Sequence, residues 1–205
     1  ERINYECYAP NRAARILDDQ HQITTIHNNY QWISFNFGPT LLSWMQHAAP
    51  ETYHKILQAD HLSTLQQNGN GNAIAQVYNH MIMPLANAQD KKTQIIWGIY
   101  DFKYRFGRLP SGMWLAETAV DILTLEALAS ENILFTILAP SQAKQIAKIQ
   151  SDDWTNVSEH SIDTTIAYRC DLPSGAHIYI FFYNGKISSE VAFGGLLQSG
   201  VQFAN

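Results

Sequence analysis

Cysteine, long apolar runs and clustered positive charge are all scarce in this sequence, and each scarcity argues against a class of protein. The two cysteines, Cys7 and Cys170, lack the spacing of a metal site. Two isolated thiols fit a reducing compartment, and a single disulfide between them is the alternative. No apolar run approaches the ~20 residues that a membrane helix needs. Lys and Arg number 13 against 18 Asp and Glu and form no block, which argues against a nucleic-acid partner.

The N-terminal residues show no signal peptide, although the chain begins at Glu1. Together with the two isolated thiols, this predicts a cytoplasmic protein without a membrane partner, and the sequence does not indicate an oligomeric state. Hydrophobic residues make up 46% and charged residues 15%, which is enough apolar material for a core and too little charge for a disordered chain.

Apolar strand-like runs alternate with helical patterns along the chain. We expect parallel strands near residues 32–37, 73–79, 112–116 and 133–138, because each run is followed by helical spacing or a helix start. This rhythm predicts an α/β fold with βαβ units. About four core strands are too few for a closed barrel, so the chain is expected to be part of one.

Further elements follow from turn and capping signals. Helices are predicted over about 51–65, over 91–106 and after a capping box at 118–121, with another at 141–149. Trp97 is expected in the core. A hairpin is predicted at 168–183, where two strand-like runs flank Pro173-Ser-Gly175.

Glu117 is the strongest candidate for chemistry. It follows the apolar run Met113–Ala116 and precedes a predicted helix, and active groups of parallel α/β folds collect at the carboxyl ends of strands. A helix N-terminus favours the ionised carboxylate that a glycosidase nucleophile needs. A Glu in the first turn of a helix is also a common stabilising placement, so both interpretations stay open.

Other candidates have the same strand-end position. His80 ends the run over 73–79, and Asn36 follows Phe35 in the run over 32–37, where its amide could bond a sugar hydroxyl. A buried structural histidine and a turn-forming Asn are the alternatives. The predicted helices contain no His-x-x-x-His pair of the kind that binds a metal, and no cofactor is expected.

Several segments together resemble glycoside hydrolase family 57, especially its bacterial members of the α-amylase/α-mannosidase-like type. The four matching stretches span most of the chain: Ile33-Ser-Phe-Asn-Phe-Gly-Pro39, Gly71–Leu85, Phe106–Glu117 and Phe181–Ser188. Gly112-Met-Trp-Leu-Ala-Glu117 is the most specific, because the family's nucleophile is the Glu that closes this pattern.

The resemblance implies a fold, an activity and a set of site residues. It implies that residues 1–205 are part of a single (β/α)7-type barrel that acts on α-linked glucans with retention of configuration and without an obligatory metal or cofactor. Glu117 would be the nucleophile, and the substrate-binding residues would be Asn36, His80, Trp114 and Tyr183. The partner is then an α-glucan or oligosaccharide substrate.

The sequence departs from the family's pattern in three ways. Ala116 stands where the family usually has Pro, and Asn184 stands where many relatives carry Asp. The family's first strand is expected before Glu1, and the strand with the acid/base Asp after Asn205. Residues 1–205 alone are therefore expected to show no turnover, because Asp101, Asp121 and Asp163 do not follow strands.

Two further functions stay open beside the glycosidase. One is a non-catalytic carbohydrate-binding or regulatory protein that has kept the barrel; a second carboxylate in the complete gene would argue against it. The other is a sugar deacetylase on a similar barrel, which needs a metal triad of Asp and His that the sequence does not show.

Overall fold

The computed structural model describes residues 1–204, which form two compact units, residues 1–134 and residues from 135 onwards. Each unit combines helices and short strands, which confirms the predicted mixed α/β composition. No closed barrel is found among the described residues. Within the same range, no helix is both long enough and apolar enough to cross a membrane.

The helices of the first unit begin and end at the signals that the sequence carries. Pro39 and Pro50 occupy the first turns of two of them, and Gly107 ends another in a left-handed conformation (φ 70°). The predicted helices over 51–65 and 91–106 are confirmed. The helices are α1 (Ala9–Arg12), α2 (Pro39–Ala48), α3 (Pro50–Gln66), α4 (Ala88–Phe106) and α5 (Ile122–Ser130). A π-helical turn (Asn4–Tyr8) precedes α1, and 3₁₀ turns lie at Asn29–Gln31, Met83–Leu85 and Ala116–Thr118.

The strands of the first unit are short. An exposed antiparallel hairpin consists of β1 (Ala14–Leu17) and β2 (Ile23–His27). The buried pair consists of β3 (Ala75–Gln76) and β4 (Met113–Trp114), which are parallel, with Gln76 opposite Trp114. A parallel bridge joins Phe35 to Ala73 on the other side of β3. The predicted parallel order of these segments is confirmed, over fewer residues than expected.

The predicted strand over 32–37 was largely wrong. The 3₁₀ turn at Asn29–Gln31 continues into the start of this run, because the amides of Trp32 and Ile33 both donate to the Asn29 carbonyl. Trp32 and Ile33 therefore remain exposed, at 63% and 48%, and only Phe35 reaches the sheet. The alternation of apolar and polar residues correctly predicted that Phe35 is buried against the sheet, but it placed the start of the strand too early.

Helix α4 lies very close to β3. A Cβ atom on Gly98 would clash with the main-chain oxygen of Gln76, so this position accepts only glycine without a backbone shift. The inward stripe of α4 is partly polar and consists of Lys91, Gln94, Ile95, Gly98 and Phe102. Trp97 was expected in the core, but its side chain is 49% exposed and lies edge-on to Tyr78.

A buried ion pair connects α3 to the loop after α4. The Asp60 carboxylate is 1% exposed and accepts two hydrogen bonds from the Arg108 guanidinium, at 2.7 and 2.9 Å. Asp60 Oδ1 also accepts from the Ala73 amide at 2.7 Å, and Arg108 Nη2 donates to the Ala73 carbonyl at 2.9 Å. The ion pair therefore binds both the amide and the carbonyl of Ala73, the residue that forms the parallel bridge with Phe35.

A second polar cluster joins α4 to the N-terminus of α5. The buried Lys91 ammonium lies 3.0 Å from both Asp121 oxygens and from Thr124 Oγ1. Burial opposes the charged form of Asp121, but hydrogen bonds from Thr124 and Lys91 outweigh it and lower the pKa of Asp121 below its ordinary value. Asp121 is the N-cap of α5, and its side chain accepts from the Thr124 amide. The predicted capping box was therefore misplaced by one turn, since Asp121 is the cap itself.

The second unit contains a three-stranded mixed sheet. Strand β5 (Phe135–Leu138) pairs in parallel with the central strand, residues 177–182, which also forms the predicted antiparallel hairpin with residues 168–171. The predicted helix over 141–149 was wrong: Pro140–Gln142 forms a 3₁₀ turn and Gln145–Ile146 a strand. The remaining elements are β6 (Gln145–Ile146), β7 (Thr155–Asn156), β8 (Tyr168–Asp171), β9 (His177–Phe182), α6 (Gly185–Ala192), a 3₁₀ turn (Leu196–Gln198) and α7 (Gly200–Ala204).

Candidate active site

Two of the predicted site residues meet at the carboxyl ends of the buried parallel pair. His80 lies four residues after β3, and Glu117 lies three residues after β4. His80 Nε2 is 3.4 Å from Glu117 Oε1, although the residues are 37 positions apart in the chain. The His80 side chain is 53% exposed and that of Glu117 76%, so both face solvent that a ligand could displace. The structure thus brings together a carboxylate and an imidazole on an open face.

The backbone at both residues adopts the left-handed conformation. The φ angles are 54° at His80, 53° at Glu117 and 54° at Thr118. Residues other than glycine rarely adopt such angles, and each costs on the order of 1–3 kcal/mol unless the surroundings enforce it. Thr118 is β-branched, so its conformation is the least favourable of the three. The same conformation also occurs at His21, Asn68, Asn132 and Gln150, so it marks the site only because two of these strained residues, His80 and Glu117, meet there.

The expected link between Glu117 and a helix dipole was wrong. Glu117 lies in the 3₁₀ turn Ala116–Thr118, and α5 begins only at Ile122, after its cap at Asp121. The helix dipole acts over the first turn alone, so Glu117 lies beyond its main range. For the same reason, Glu117 does not lie in the first turn of the predicted helix α5, which was the alternative interpretation.

Asn36 lies one strand away from this pair. Its Nδ2 donates to Gln76 Oε1 at 2.8 Å, and the Gln76 side chain is buried in β3 directly opposite Trp114. Asn36 is half-buried, as is Trp114. The structure therefore attaches Asn36 to the strand that leads to His80 but shows no direct bond between Asn36 and His80 or Glu117.

The last predicted site residue, Tyr183, lies in the second unit. It is half-buried and directly follows β9, where its amide donates to the Leu138 carbonyl at 3.2 Å. Asn184 caps α6, because its side chain accepts from the Ile187 amide at 3.0 Å. A capping role explains why an Asn is suitable at this position without any charge.

The described residues also bear on metals and cysteines. No group of three or more His, Cys, Asp and Glu side chains in residues 1–204 is placed to hold a metal ion. Cys7 and Cys170 are both free thiols. The three aspartates considered as alternative acids are engaged elsewhere: Asp101 bonds Arg105 within α4, Asp121 caps α5, and Asp163 accepts from Thr165 in a loop.

Sequence reasoning missed the residue that supports the His80 turn. Gln94 on α4 is 5% exposed and accepts a hydrogen bond from the Asn79 amide at 2.7 Å. A signal was present, because Lys91 and Gln94 share one helical stripe with the apolar Ile95 and Phe102. A polar side chain on such a stripe requires a partner, since an unpaired buried polar group is costly.

Comparisons with known proteins identify the family and the fold. The sequence profile of Glycosyl hydrolase family 57 matches residues 1–202. Two solved structures share the fold of the part they cover. One is a 4-alpha-glucanotransferase from Thermococcus litoralis, with a TM-score of 0.57 and 16% sequence identity. The matched region covers 80% of this chain and 23% of the glucanotransferase chain. The other is a maltose-forming amylase of exo type from Pyrococcus sp. ST04, with a TM-score of 0.58 and 19% sequence identity. The matched region covers 80% of this chain and 24% of the amylase chain.

The chain thus spans about a quarter of the length of these two structures. No curated protein matches it at a significant level. The profile match extends over nearly the whole chain and includes every predicted site residue. On this basis, the chain belongs to glycosyl hydrolase family 57.

Proposed function

We propose that this chain contributes the nucleophile-bearing part of a retaining glycosidase or glycosyltransferring enzyme that acts on α-linked glucans, with Glu117 as the nucleophile. The observation that carries the proposal is the 3.4 Å approach of His80 Nε2 to Glu117 Oε1 at the carboxyl ends of two adjacent parallel strands. Family membership and the two similar structures, a glucanotransferase and a maltose-forming amylase, support the reaction class and the substrate class.

In this mechanism Glu117 performs a double displacement. A carboxylate oxygen of Glu117 attacks the anomeric carbon of the bound glucose unit while the bond to the leaving oxygen breaks. The leaving oxygen takes a proton from a second carboxyl group about 5–5.5 Å from the first. Water or a sugar hydroxyl then attacks the same carbon, gives its proton to the second group and releases Glu117. Two inversions restore the original configuration.

His80 is suited to orient the nucleophile. A contact of 3.4 Å lies at the long end of the hydrogen-bond range, and catalytic contacts often tighten only when substrate is bound. The imidazole would hydrogen-bond to Oε1 and fix the orientation of the Glu117 carboxylate, so that its other oxygen faces the sugar. Because both side chains are exposed, substrate binding itself would remove water from the pair.

Three more residues are proposed to contact the sugar. The half-buried Trp114 precedes Glu117 by three positions and offers a ring for stacking against a pyranose. The Asn36 amide, fixed by Gln76, is proposed to bond a hydroxyl, and Tyr183 is proposed from its position at the end of β9. We also propose that the chain is part of a (β/α)7 barrel, and that the acid/base carboxylate is supplied by another part of the natural protein.

The stereochemistry of the first product tests this mechanism. We expect the natural full-length protein to release the α anomer from a maltooligosaccharide, because a covalent intermediate requires two inversions. Proton NMR spectra taken before mutarotation would distinguish the two anomers. Initial release of the β anomer would mean a single inversion by water, and Glu117 would then be a general base or acid and not a nucleophile.

A further inference from the structure

Gln94 holds the chain immediately before His80. Its main-chain carbonyl accepts from the Tyr78 amide at 3.2 Å, and its side-chain Oε1 accepts from the Asn79 amide at 2.7 Å. The next amide, that of His80, donates to the Val77 carbonyl at 3.2 Å. Three successive amides are thus bonded, and two of them bond the same residue of α4.

The position of Gln94 is itself rigid. Its side chain is 5% exposed, and it lies one turn before Gly98, where α4 approaches β3 too closely for any side chain. Ile95, beside it, is fully buried. A helix packed this tightly offers a fixed acceptor to the loop, whereas water would offer a mobile one.

The loop needs such an acceptor because His80 is held in the left-handed conformation. A strained backbone persists only where its surroundings enforce it, and the His80 side chain, at 53% exposure, is not enclosed by neighbours. The main-chain amides of residues 78–80 constrain this turn through their bonds to Val77 and Gln94. Without the bond to the Asn79 amide, the turn could relax and carry the imidazole away from Glu117.

We propose that Gln94 is a positioning residue for the His80–Glu117 pair and acts through the Asn79 amide. Gln94 bonds the amides of Tyr78 and Asn79 and has no role in the chemistry itself. Its contribution is to keep His80 Nε2 within hydrogen-bonding reach of the nucleophile. The proposal rests on the proposed function, because positioning affects the rate only if Glu117 and His80 act on substrate.

Two variants separate the acceptor from the packing. Q94M keeps an unbranched side chain of similar length but has no acceptor for the Asn79 amide. Q94E keeps an oxygen in the same place. I95V is the matched control, because it loosens the same buried stripe of α4 without removing a hydrogen bond. All three would be made in the natural full-length protein and compared with the parent by thermal unfolding.

The first measurement compares kcat and KM of each variant with those of the parent protein, with a maltooligosaccharide as substrate. A displacement of about 1 Å in a catalytic group can cost about 100-fold, so we expect Q94M to lower kcat by about 10- to 100-fold with a smaller change in KM. Q94E is expected to recover most of this loss, and I95V to leave kcat unchanged. In an H80A background, Q94M should cost little more, because both changes remove the same contact.

A second readout is independent of activity. Hydrogen exchange at the Asn79 amide, measured by NMR, should become faster in Q94M and stay slow in Q94E and I95V. Unchanged exchange in Q94M would overturn the proposal, whatever the kinetics. Faster exchange with an unaltered kcat would also overturn it, and Gln94 would be a structural amide only.

The kinetics of E117Q in the same protein separate the two hypotheses. If E117Q is inactive and Q94M still has full kcat, the positioning role is wrong while the proposed function stands. If E117Q keeps full activity, the proposed function fails, and the positioning role fails with it even where exchange at Asn79 responds. Faster exchange together with a lower kcat in Q94M, recovered in Q94E, is the result that we expect.

Discussion

Replacing Glu117 with Gln is expected to abolish turnover of α-glucans in the natural full-length protein while the fold stays intact. The amide is nearly isosteric with the carboxylate but cannot form the bond to the anomeric carbon, so we expect a loss of at least about 1,000-fold, or about 4 kcal/mol of barrier. The Glu117 side chain is 76% exposed and makes a long contact of 3.4 Å with His80, so the substitution should hardly change stability.

The protein offers a matched control for this substitution. Glu159 in the second unit also has a carboxylate oxygen 3.4 Å from a histidine Nε2, that of its neighbour His160, and is exposed. E159Q therefore removes the same chemical contact after an antiparallel strand of the second unit and not after the parallel pair β3–β4. We expect E159Q to keep full activity. A loss of less than about 10-fold in E117Q, equivalent to only about 1.4 kcal/mol, would be too small for a nucleophile.

Replacing Asp60 with Asn is expected to cause a large loss of stability. The substitution removes the charge that compensates Arg108 inside the protein and weakens the bond to the Ala73 amide. Breaking a buried ion pair by removing one partner typically costs about 3–5 kcal/mol, and we expect a loss toward the lower end because the remaining Arg108 guanidinium is 17% exposed. Such a loss is a large part of the stability of an ordinary domain.

Urea unfolding would measure this loss, with E6Q as the control. Glu6 pairs with Arg2 at 3.8 Å, and both side chains are largely exposed, so E6Q should change the free energy of unfolding by less than about 1 kcal/mol. Equal effects of D60N and E6Q would contradict the account of the Asp60–Arg108 pair. It would then be no more than a surface interaction, and the bridge from Ala73 to Phe35 would not depend on it.

Local patterns in the sequence predicted the elements that have strong local signals. Proline at the first turn of α3, the Gly107 stop of α4 and the turn at Pro173–Gly175 each act within a few residues, and all three elements were found as expected. The positions of His80 and Glu117 at the ends of parallel strands also followed from local patterns, because strand ends that point the same way meet at one edge of a sheet.

Features that depend on distant partners could not be predicted in this way. The bonds of Asp60 to Arg108 and of Lys91 to Asp121 join residues 48 and 30 positions apart, and hydrophobic periodicity gives no indication of them. The same is true of Gln94 and Asn79, 15 positions apart. The left-handed turns at His80 and Glu117 are enforced by their surroundings, so propensity argues against them and only the fold reveals them.

Trapping the covalent intermediate tests the assignment of Glu117 most directly. A 5-fluoro-α-glucosyl fluoride forms the glycosyl-enzyme faster than water resolves it, so the adduct of a retaining enzyme accumulates and can be located by digestion and mass spectrometry. The account predicts one fluoroglucosyl group on the peptide that contains Glu117, attached to this residue and absent in E117Q. An adduct on another carboxylate, or none in a protein that turns over α-glucans, would contradict it.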